Sequence, residues 1–275
     1  MPPQSFKEAL SKKLTKNQLA LVPRAFDVVG TIAIFSHLPD ELKKKETIIA
    51  KTLLEVHSHI KTVTKKVSDH QGTFRTKKVR VLAGQRTKTT THTESGARIM
   101  LNIETCYFSP RLSQERMRIA KQVKDGERVL VLFSGVSVYP LVIAKNSKPL
   151  SITAVELNPD AHKFALENIK KNKFEEIITA IKADVQNVKL KGKFDRIIMP
   201  LPKGAKDYLD VALKYSKKGT IIHLYVFTDK TIFPDGIIDL VKDKLKNIKI
   251  LDTVQCGTAS PSKIRVCVDI RVKKS

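Results

Sequence analysis

Cysteine is scarce in this 275-residue chain. There are three, Cys106, Cys256 and Cys267, an odd number without C-x-x-C spacing. That pattern excludes a disulfide framework and a zinc ribbon, suits a reducing cytoplasm, and leaves no His/Cys cluster that asks for a metal. Long apolar runs are scarce as well. Met-Pro-Pro-Gln leads straight into a charged pattern rather than the apolar core of a secretory leader. The uncharged run at 129–144 spans 16 residues and includes Ser134, Gly135, Ser137 and Pro140. It is too short and too polar to cross a bilayer, so no membrane partner is expected. Acid is the third shortage: 27 Asp+Glu face 51 Lys+Arg, for a formal charge of +24. An excess of that size repels itself unless a polyanion screens it, which favours a nucleic-acid partner over lysine kept merely for solubility.

The chain does have enough apolar residue, 41%, to bury a sizeable core, and its length fits one or two domains. Residues 5–20 read as one amphipathic helix, with Phe6, Leu10, Leu14 and Leu19 among lysines, ended by Pro23. The stretch 26–35 (FDVVGTIAIF) reads as a single β-branched strand with Gly30 at a bulge or close approach. A helix is expected from Pro39-Asp40-Glu41-Leu42 to about Ser58, followed by strands at 61–66, 78–82 and 97–104. Turn-like clusters stand near His70-Gln71-Gly72 and Glu94-Ser95-Gly96. This is an α+β pattern. Between 61 and 90, Lys61, Lys65, Lys66, Arg75, Lys77, Lys78, Arg80, Arg86 and Lys88 are opposed by Asp69 alone. Phosphates bind where such groups are presented together, so this half reads as RNA- or DNA-binding; the bland alternative is a basic solvated face.

From about Gly126 the texture changes. Apolar runs at 129–133, 152–155, 177–181, 196–199 and 220–227 alternate with helical patterns at 138–146, 159–172, 204–216 and 235–246. Strands buried on both faces and alternating with helices indicate a doubly wound parallel sheet. Two further runs, 248–255 and 264–272, lack a helix between them and read as an antiparallel edge pair. The fold class is therefore α/β, a Rossmann-like sheet with a terminal hairpin preceded by a small α+β domain, and five alternations plus such a hairpin resemble the order associated with class I methyltransferases. In such sheets ligands sit beyond the carboxyl ends of the strands. There the first strand gives Phe133-Ser134-Gly135-Val136-Ser137, whose glycine admits a ligand to the backbone. The second gives Glu156, 21 residues past Gly135, a spacing at which an acid can accept from both hydroxyls of an adenosine ribose. The third gives Asp184, able to accept from an adenine amino group. Each acid alone reads equally as a cap; together they favour an adenosine-containing ligand. The fourth strand ends in Met199-Pro200-Leu201-Pro202-Lys203-Gly204-Ala205, a stiff, carbonyl-presenting segment that can line a pocket or simply join strand to helix.

Several stretches, read together, match one family. FDVVGTIA at 26–33, GTFR at 72–75, LAG at 82–84, YFSPRLSQER at 107–116, ELNPD at 156–160, MPLPKGA at 199–205 and SPSKIRVCVD at 260–269 run in family order over residues 5–272. In these the chain resembles the archaeal and eukaryotic type of tRNA guanine-37 N1-methyltransferase, which uses S-adenosylmethionine. The resemblance implies a tRNA-binding domain at 1–105, a junction with the catalytic motif at 106–125, and a methyltransferase domain at 126–275. It implies Glu115 as general base, Arg116 and Arg75 at the target nucleotide, and Tyr107, Arg111, Pro200 and Pro202 at the substrate. Cofactor contacts fall to Phe133, Gly135, Glu156, Leu157, Asp184 and Pro200. It also implies the tRNA anticodon stem-loop as partner, a cytoplasmic monomer and no obligate protein partner.

Three departures stand beside the matches. Val131 and Ser137 replace the aspartate and second glycine of the family's first cofactor motif, and Pro200 replaces the asparagine of its fourth. Many members also carry a further small N-terminal domain that recognises the outer corner of tRNA, which this chain is expected to lack. Chemically, guanine N1 must lose a proton as the methyl arrives, a task for a carboxylate, while a guanidinium stabilises charge growing on O6. A helix starting by Pro110 puts Arg111 and Glu115 on one face, a functional pair or an ordinary surface ion pair. Two other readings remain. One is a wyosine-pathway tRNA transferase at position 37, moving methyl to the tricyclic intermediate or an aminocarboxypropyl group. The other is a non-catalytic tRNA-binding protein with a degenerate cofactor pocket.

Overall fold

The computed structural model describes residues 5–68, 72–202 and 204–273. His70, Gln71, Lys203 and the opening Met-Pro-Pro-Gln, on which parts of the sequence reading fell, lie outside the described residues. The chain divides into two compact units, Met1–Thr93 with Arg98–Pro110, and Arg111–Ser275 with the hairpin tip Glu94–Ala97.

In the first unit the expected single helix is two short ones, α1 (Phe6–Ser11) and α2 (Lys16–Leu21). Each has its own capping box, Ser5 with Glu8 and Thr15 with Gln18. The second box satisfies a fresh set of amide donors and restarts the helix. The stretch 26–35 is likewise a hairpin, not one strand: β1 (Asp27–Val29) pairs antiparallel with β2 (Ile32–Phe35) across Gly30-Thr31. Gly30 has φ +54, and a Cβ there would lie 2.3 Å from Thr90 Oγ1 and 2.4 Å from the Thr91 carbonyl, so the close approach is real. A 3-10 turn, Asp40–Lys45, feeds α3 (Glu46–Val56), which crosses over so that β3 (Thr62–Lys66) lies parallel to β2. Antiparallel β4 (Val79–Gly84) completes a four-stranded sheet, order β1-β2-β3-β4, whose core holds Leu10, Phe35, Leu42, Ile49, Leu53 and Val63.

A strand absent from the sequence reading follows. β5 (Thr89–Glu94) pairs with β6 (Ala97–Asn102), and Ser95 (φ 50) and Gly96 (φ 79) form the turn with both residues at positive φ. The sequence TTTHTE is β-branched but carries no apolar alternation, so periodicity misses it. Charge is also more neutralised than the 61–90 stretch by itself suggests. Lys65 and Arg80 both pair with the buried Glu46, and Lys88 pairs with Glu104 at 2.6 Å. Lys78 and Arg80 stay exposed on either side of the buried Val79.

The second unit begins with α4 (Ser113–Gln122). It then winds β7 (Arg128–Leu132), α5 (Val138–Asn146), β8 (Ser151–Glu156), α6 (Pro159–Asn172), β9 (Ile178–Lys182) and β10 (Phe194–Met199). After these come α7 (Leu209–Lys214), β11 (Ser216–Asp229), α8 (Asp235–Lys244), β12 (Ile248–Thr258) and β13 (Lys263–Val272). The strands make one sheet of order β12-β13-β11-β10-β7-β8-β9. From β11 to β9 the pairing is parallel, and β13 is antiparallel to both β11 and β12. This is the doubly wound sheet with a terminal antiparallel hairpin that the alternating runs indicate. The helix expected over 204–216 is shorter because 205–208 form a 3-10 turn. Among the described residues no helix is long and apolar enough to cross a membrane.

Strand order reverses direction between β10 and β7, and this switch point sets the site at their carboxyl ends. Ile197, fully buried on β10, packs in the core beneath it. Replacing it by alanine should cost about 2–5 kcal/mol, read as a lower denaturant midpoint at unchanged slope. A loss below about 1 kcal/mol would contradict that packing.

Candidate active site

The loop after β7 is built from alternating left-handed residues: Phe133 (φ 57), Gly135 (φ 57) and Ser137 (φ 64). A bulky residue at positive φ is uncommon, and such strain persists where surrounding structure enforces it. Here Glu156, at the end of β8, does so. Its Oε2 accepts from the Gly135 amide at 2.7 Å and its Oε1 from the Asn158 amide at 2.8 Å. Burial pushes the Glu156 carboxyl above its ordinary value, against the pull of the Asn158, Gly135 and Leu157 amides. The acid thus ties one strand-end loop to the next and keeps lone pairs for a further donor. Ser137, standing where the family has glycine, holds the left-handed conformation that glycine would favour, so this departure leaves the loop's path intact.

Two hydroxyls of the same loop, Ser134 Oγ and Ser137 Oγ, are buried and find no hydrogen-bond partner among the described residues. Orphaned buried hydroxyls are rare in finished interiors and mark a place where a polar ligand fits. Leu157 is exposed, and Asp184, after β9, caps its own turn by accepting from the Gln186 amide and the Asn187 side chain. Pro200 sits at the centre of a three-residue turn closed by the Leu201 amide on the Met199 carbonyl at 2.9 Å, and Pro202 is buried. A proline there costs no amide donor, because the turn uses none at that position. Tyr208, which the sequence reading passed over, meets the Phe133 ring edge-on with centroids 4.9 Å apart. These residues sit at the carboxyl ends of four neighbouring strands and fit an adenosine-containing methyl donor.

The junction differs from expectation. Pro110–Leu112 is a 3-10 turn and α4 starts only at Ser113, which leaves Arg111 exposed and turns Glu115 inward. The partner of Glu115 is therefore not Arg111. Arg118, three residues on, donates Nε to Oε2 at 2.7 Å and Nη2 to Oε1 at 2.8 Å, while the Tyr225 hydroxyl donates to Oε1 at 2.6 Å. Arg116 is also turned inward. It is 3% exposed, and its Nε and Nη2 both donate to Glu94 at 2.6 Å, so this edge of the guanidinium holds the hairpin tip rather than facing a target base. In the first unit Arg75, at φ 51, lays its guanidinium 4.8 Å from the centre of the Tyr107 ring.

From Arg118 a buried polar chain continues. Arg118 also donates to Asp269, at 2.6 Å from Nη1 and 3.3 Å from Nη2, and Gln122 donates to the same carboxylate. His223 Nδ1 lies 2.6 Å from Asp269, and its Nε2 lies 2.6 Å from Arg196 Nη1. Since arginine has no acceptor, Nε2 must accept, which fixes a neutral imidazole donating from Nδ1. Burial lowers the His223 pKa as well, with the Arg196 and Arg118 charges adding to it against Asp269. Burial alone would raise the Asp269 carboxyl, but hydrogen bonds from His223 and Arg118 hold it well below the usual carboxylate range. Arg196 closes on Glu127 at 2.7 Å. His223, Cys267 and Asp269 lie close enough together to suggest metal ligands, yet Arg118 and Arg196 already supply the positive charge. One signal for this chain was in the sequence: His223 and Tyr225, and Cys267 and Asp269, are polar residues at period 2 inside apolar strands.

Comparison with known proteins places the chain. The model of the TRM5/TYW2 methyltransferase domain matches residues 90–251, and that of the TYW2 N-terminal domain matches 6–87. The chain is similar to the tRNA (guanine(37)-N(1))-methyltransferase Trm5b of Pyrococcus abyssi, 33% identical over 98% of this chain and 81% of that protein. It is also similar to the tRNA (guanine(37)-N(1))/4-demethylwyosine(37)-methyltransferase Taw22 of Nanoarchaeum equitans, 31% identical over 90% of this chain and 99% of the other. Among solved structures, a complex of aTrm5 with tRNALeu superposes with a TM-score of 0.87 at 32% identity, covering 99% of this chain and 79% of that one. With its sheet order, its strand-end loops and these likenesses in agreement, the chain belongs to the TRM5/TYW2 family of methyltransferases.

Proposed function

We propose that the protein transfers the methyl group of S-adenosylmethionine to N1 of guanosine 37 in the tRNA anticodon loop. The observation that carries this reading is the state of Glu115, a carboxylate fixed on both oxygens in the family's junction motif. Oε1 accepts twice and Oε2 once, so one lone pair, on Oε2, is open among the described residues for the proton that N1 gives up. Its burial keeps bulk water from competing for that proton. When bound, the cofactor supplies an electrophilic methyl. The chain supplies Glu156 for its ribose, Ser134 and Ser137 as unspent hydroxyls, and the Gly135 and Pro200 turns as backbone walls. Phe133, Leu157 and Asp184 contribute its remaining contacts, and Pro202 stiffens the segment after Pro200. Arg75 and Tyr107 are assigned to the RNA, with Arg111 as a supporting phosphate contact. Arg116 is reassigned from the target base to holding the hairpin tip. The proposal extends to a monomer in the cytoplasm that needs no obligate protein partner. A second acceptor, 4-demethylwyosine at the same position, is supported by the double activity in the name of the Nanoarchaeum equitans relative.

Two measurements test the assignment. Glu115→Ala should lower methyl transfer by about 10²–10⁴-fold, the usual weight of a general base, while calorimetry finds cofactor affinity unchanged. Near-wild-type turnover would refute the base. For the cofactor, affinity should fall as pH is lowered through the raised Glu156 range, because a carboxyl that gains a proton loses its charge and turns one acceptor oxygen into a donor facing the ribose hydroxyls. Glu156→Gln should weaken binding and flatten that pH dependence; an unaltered pH profile would overturn the ribose assignment.

A further inference from the structure

Glu115 does not hold its place by itself. A carboxylate on a helix has three freely rotating side-chain torsions, and a base that rotates loses the alignment proton transfer needs. Four groups remove that freedom. Arg118 clamps both oxygens from the next turn of α4, the Tyr225 hydroxyl reaches Oε1 from β11, and Asp269 on β13 holds Arg118 from its far side. Tyr139, on the helix that follows the cofactor loop, donates its hydroxyl to Tyr225 at 2.9 Å. Burial raises both tyrosine hydroxyls above their ordinary value, so they remain protonated donors. All of these groups belong to the second unit.

The arrangement is also specific in what it leaves undone. Two carboxylates, Glu115 and Asp269, share one guanidinium, and the neutral His223 adds no charge to balance the second. Arg118 therefore holds the two carboxylates on opposite sides of one guanidinium, and fixing Asp269 fixes the side of Arg118 that faces Glu115.

We infer that Tyr225, Arg118 and Asp269 are positioning residues for Glu115, arranged so that Oε2 alone is left to receive the substrate proton, with the Tyr139–Tyr225 pair joining that arrangement to the helix after the cofactor loop. This inference rests on Glu115 being the base. The two ideas separate experimentally through Tyr225→Phe, which removes one oxygen and keeps the ring. Under single-turnover conditions with excess enzyme, Tyr225→Phe should lower the rate of methyl transfer roughly 10- to 100-fold, the weight of one hydrogen bond to a charged group. KM for tRNA and affinity for S-adenosylmethionine should stay within about twofold. The same substitution made on top of Glu115→Gln should change the residual rate by less than about twofold, because a residue acting through Glu115 has nothing left to act through.

Full additivity of the two substitutions, or a Tyr225→Phe protein as fast as the parent beside an inactive Glu115→Gln protein, would overturn the positioning role and leave the base intact. An active Glu115→Gln protein would instead remove the base reading and this inference with it. If Tyr225→Phe does not fold, as judged by its thermal melt, Arg118→Lys serves in its place. Lysine keeps the charge but not the fork that spans both oxygens, so the same rate loss and the same non-additivity are expected.

Discussion

Arg118 is bound on one side by Glu115 and on the other by Asp269, and much of the second unit is arranged to keep it there. The guanidinium comes from α4, one carboxylate from the same helix and the other from the last strand of the sheet. The contact therefore ties the first helix of this unit to the last strand of its sheet, which lies between β11 and β12. His223 and Gln122 finish the satisfaction of Asp269, and Arg196 carries the chain on to Glu127, so the buried charges are neither isolated nor free to rearrange. Breaking such a buried pair by removing one partner typically costs about 3–5 kcal/mol, which makes the same groups structural and functional at once.

The cofactor end follows a different logic. Its geometry is carried by backbone, in three left-handed residues of one short loop, and a single carboxylate holds the conformation from the neighbouring strand. Side-chain departures from the family pattern are tolerable on such a frame. Ser137 reaches the dihedral angles a glycine would take, and Pro200 occupies a turn position whose amide is not required. What those substitutions alter is the set of polar atoms presented to a ligand, and the Ser137 hydroxyl, unpartnered among the described residues, is the visible part of that change.

How much of this was legible in the sequence depended on the kind of order involved. The parallel strands and most helices of the second unit announced themselves, since buried runs alternating with helical periods have few other uses; α6 opens at Pro159 directly after its Asn158 cap. The switch-point residues Gly135 and Glu156 could be placed because topology alone puts them together. The first unit was harder. A hairpin inside 26–35 and a threonine-rich β5 both lack the alternation that identifies strands, and a second capping box divided what periodicity read as one helix. At the junction, the motif identified Glu115 but not its orientation. One 3-10 turn delayed the helix start and exchanged Arg111 for Arg118 as its partner, and no local pattern reports a contact 110 residues away, as between Glu115 and Tyr225.

The proposed activity alkylates one base of tRNA at one atom. The most direct test is mass spectrometry of a tRNA transcript carrying guanosine at position 37, digested to nucleosides after incubation with the protein and S-adenosylmethionine. The expected result is a gain of one methyl, recovered as 1-methylguanosine from position 37 alone. An aminocarboxypropyl adduct, a methyl at another position, or an unmodified transcript under conditions where the cofactor binds would contradict it.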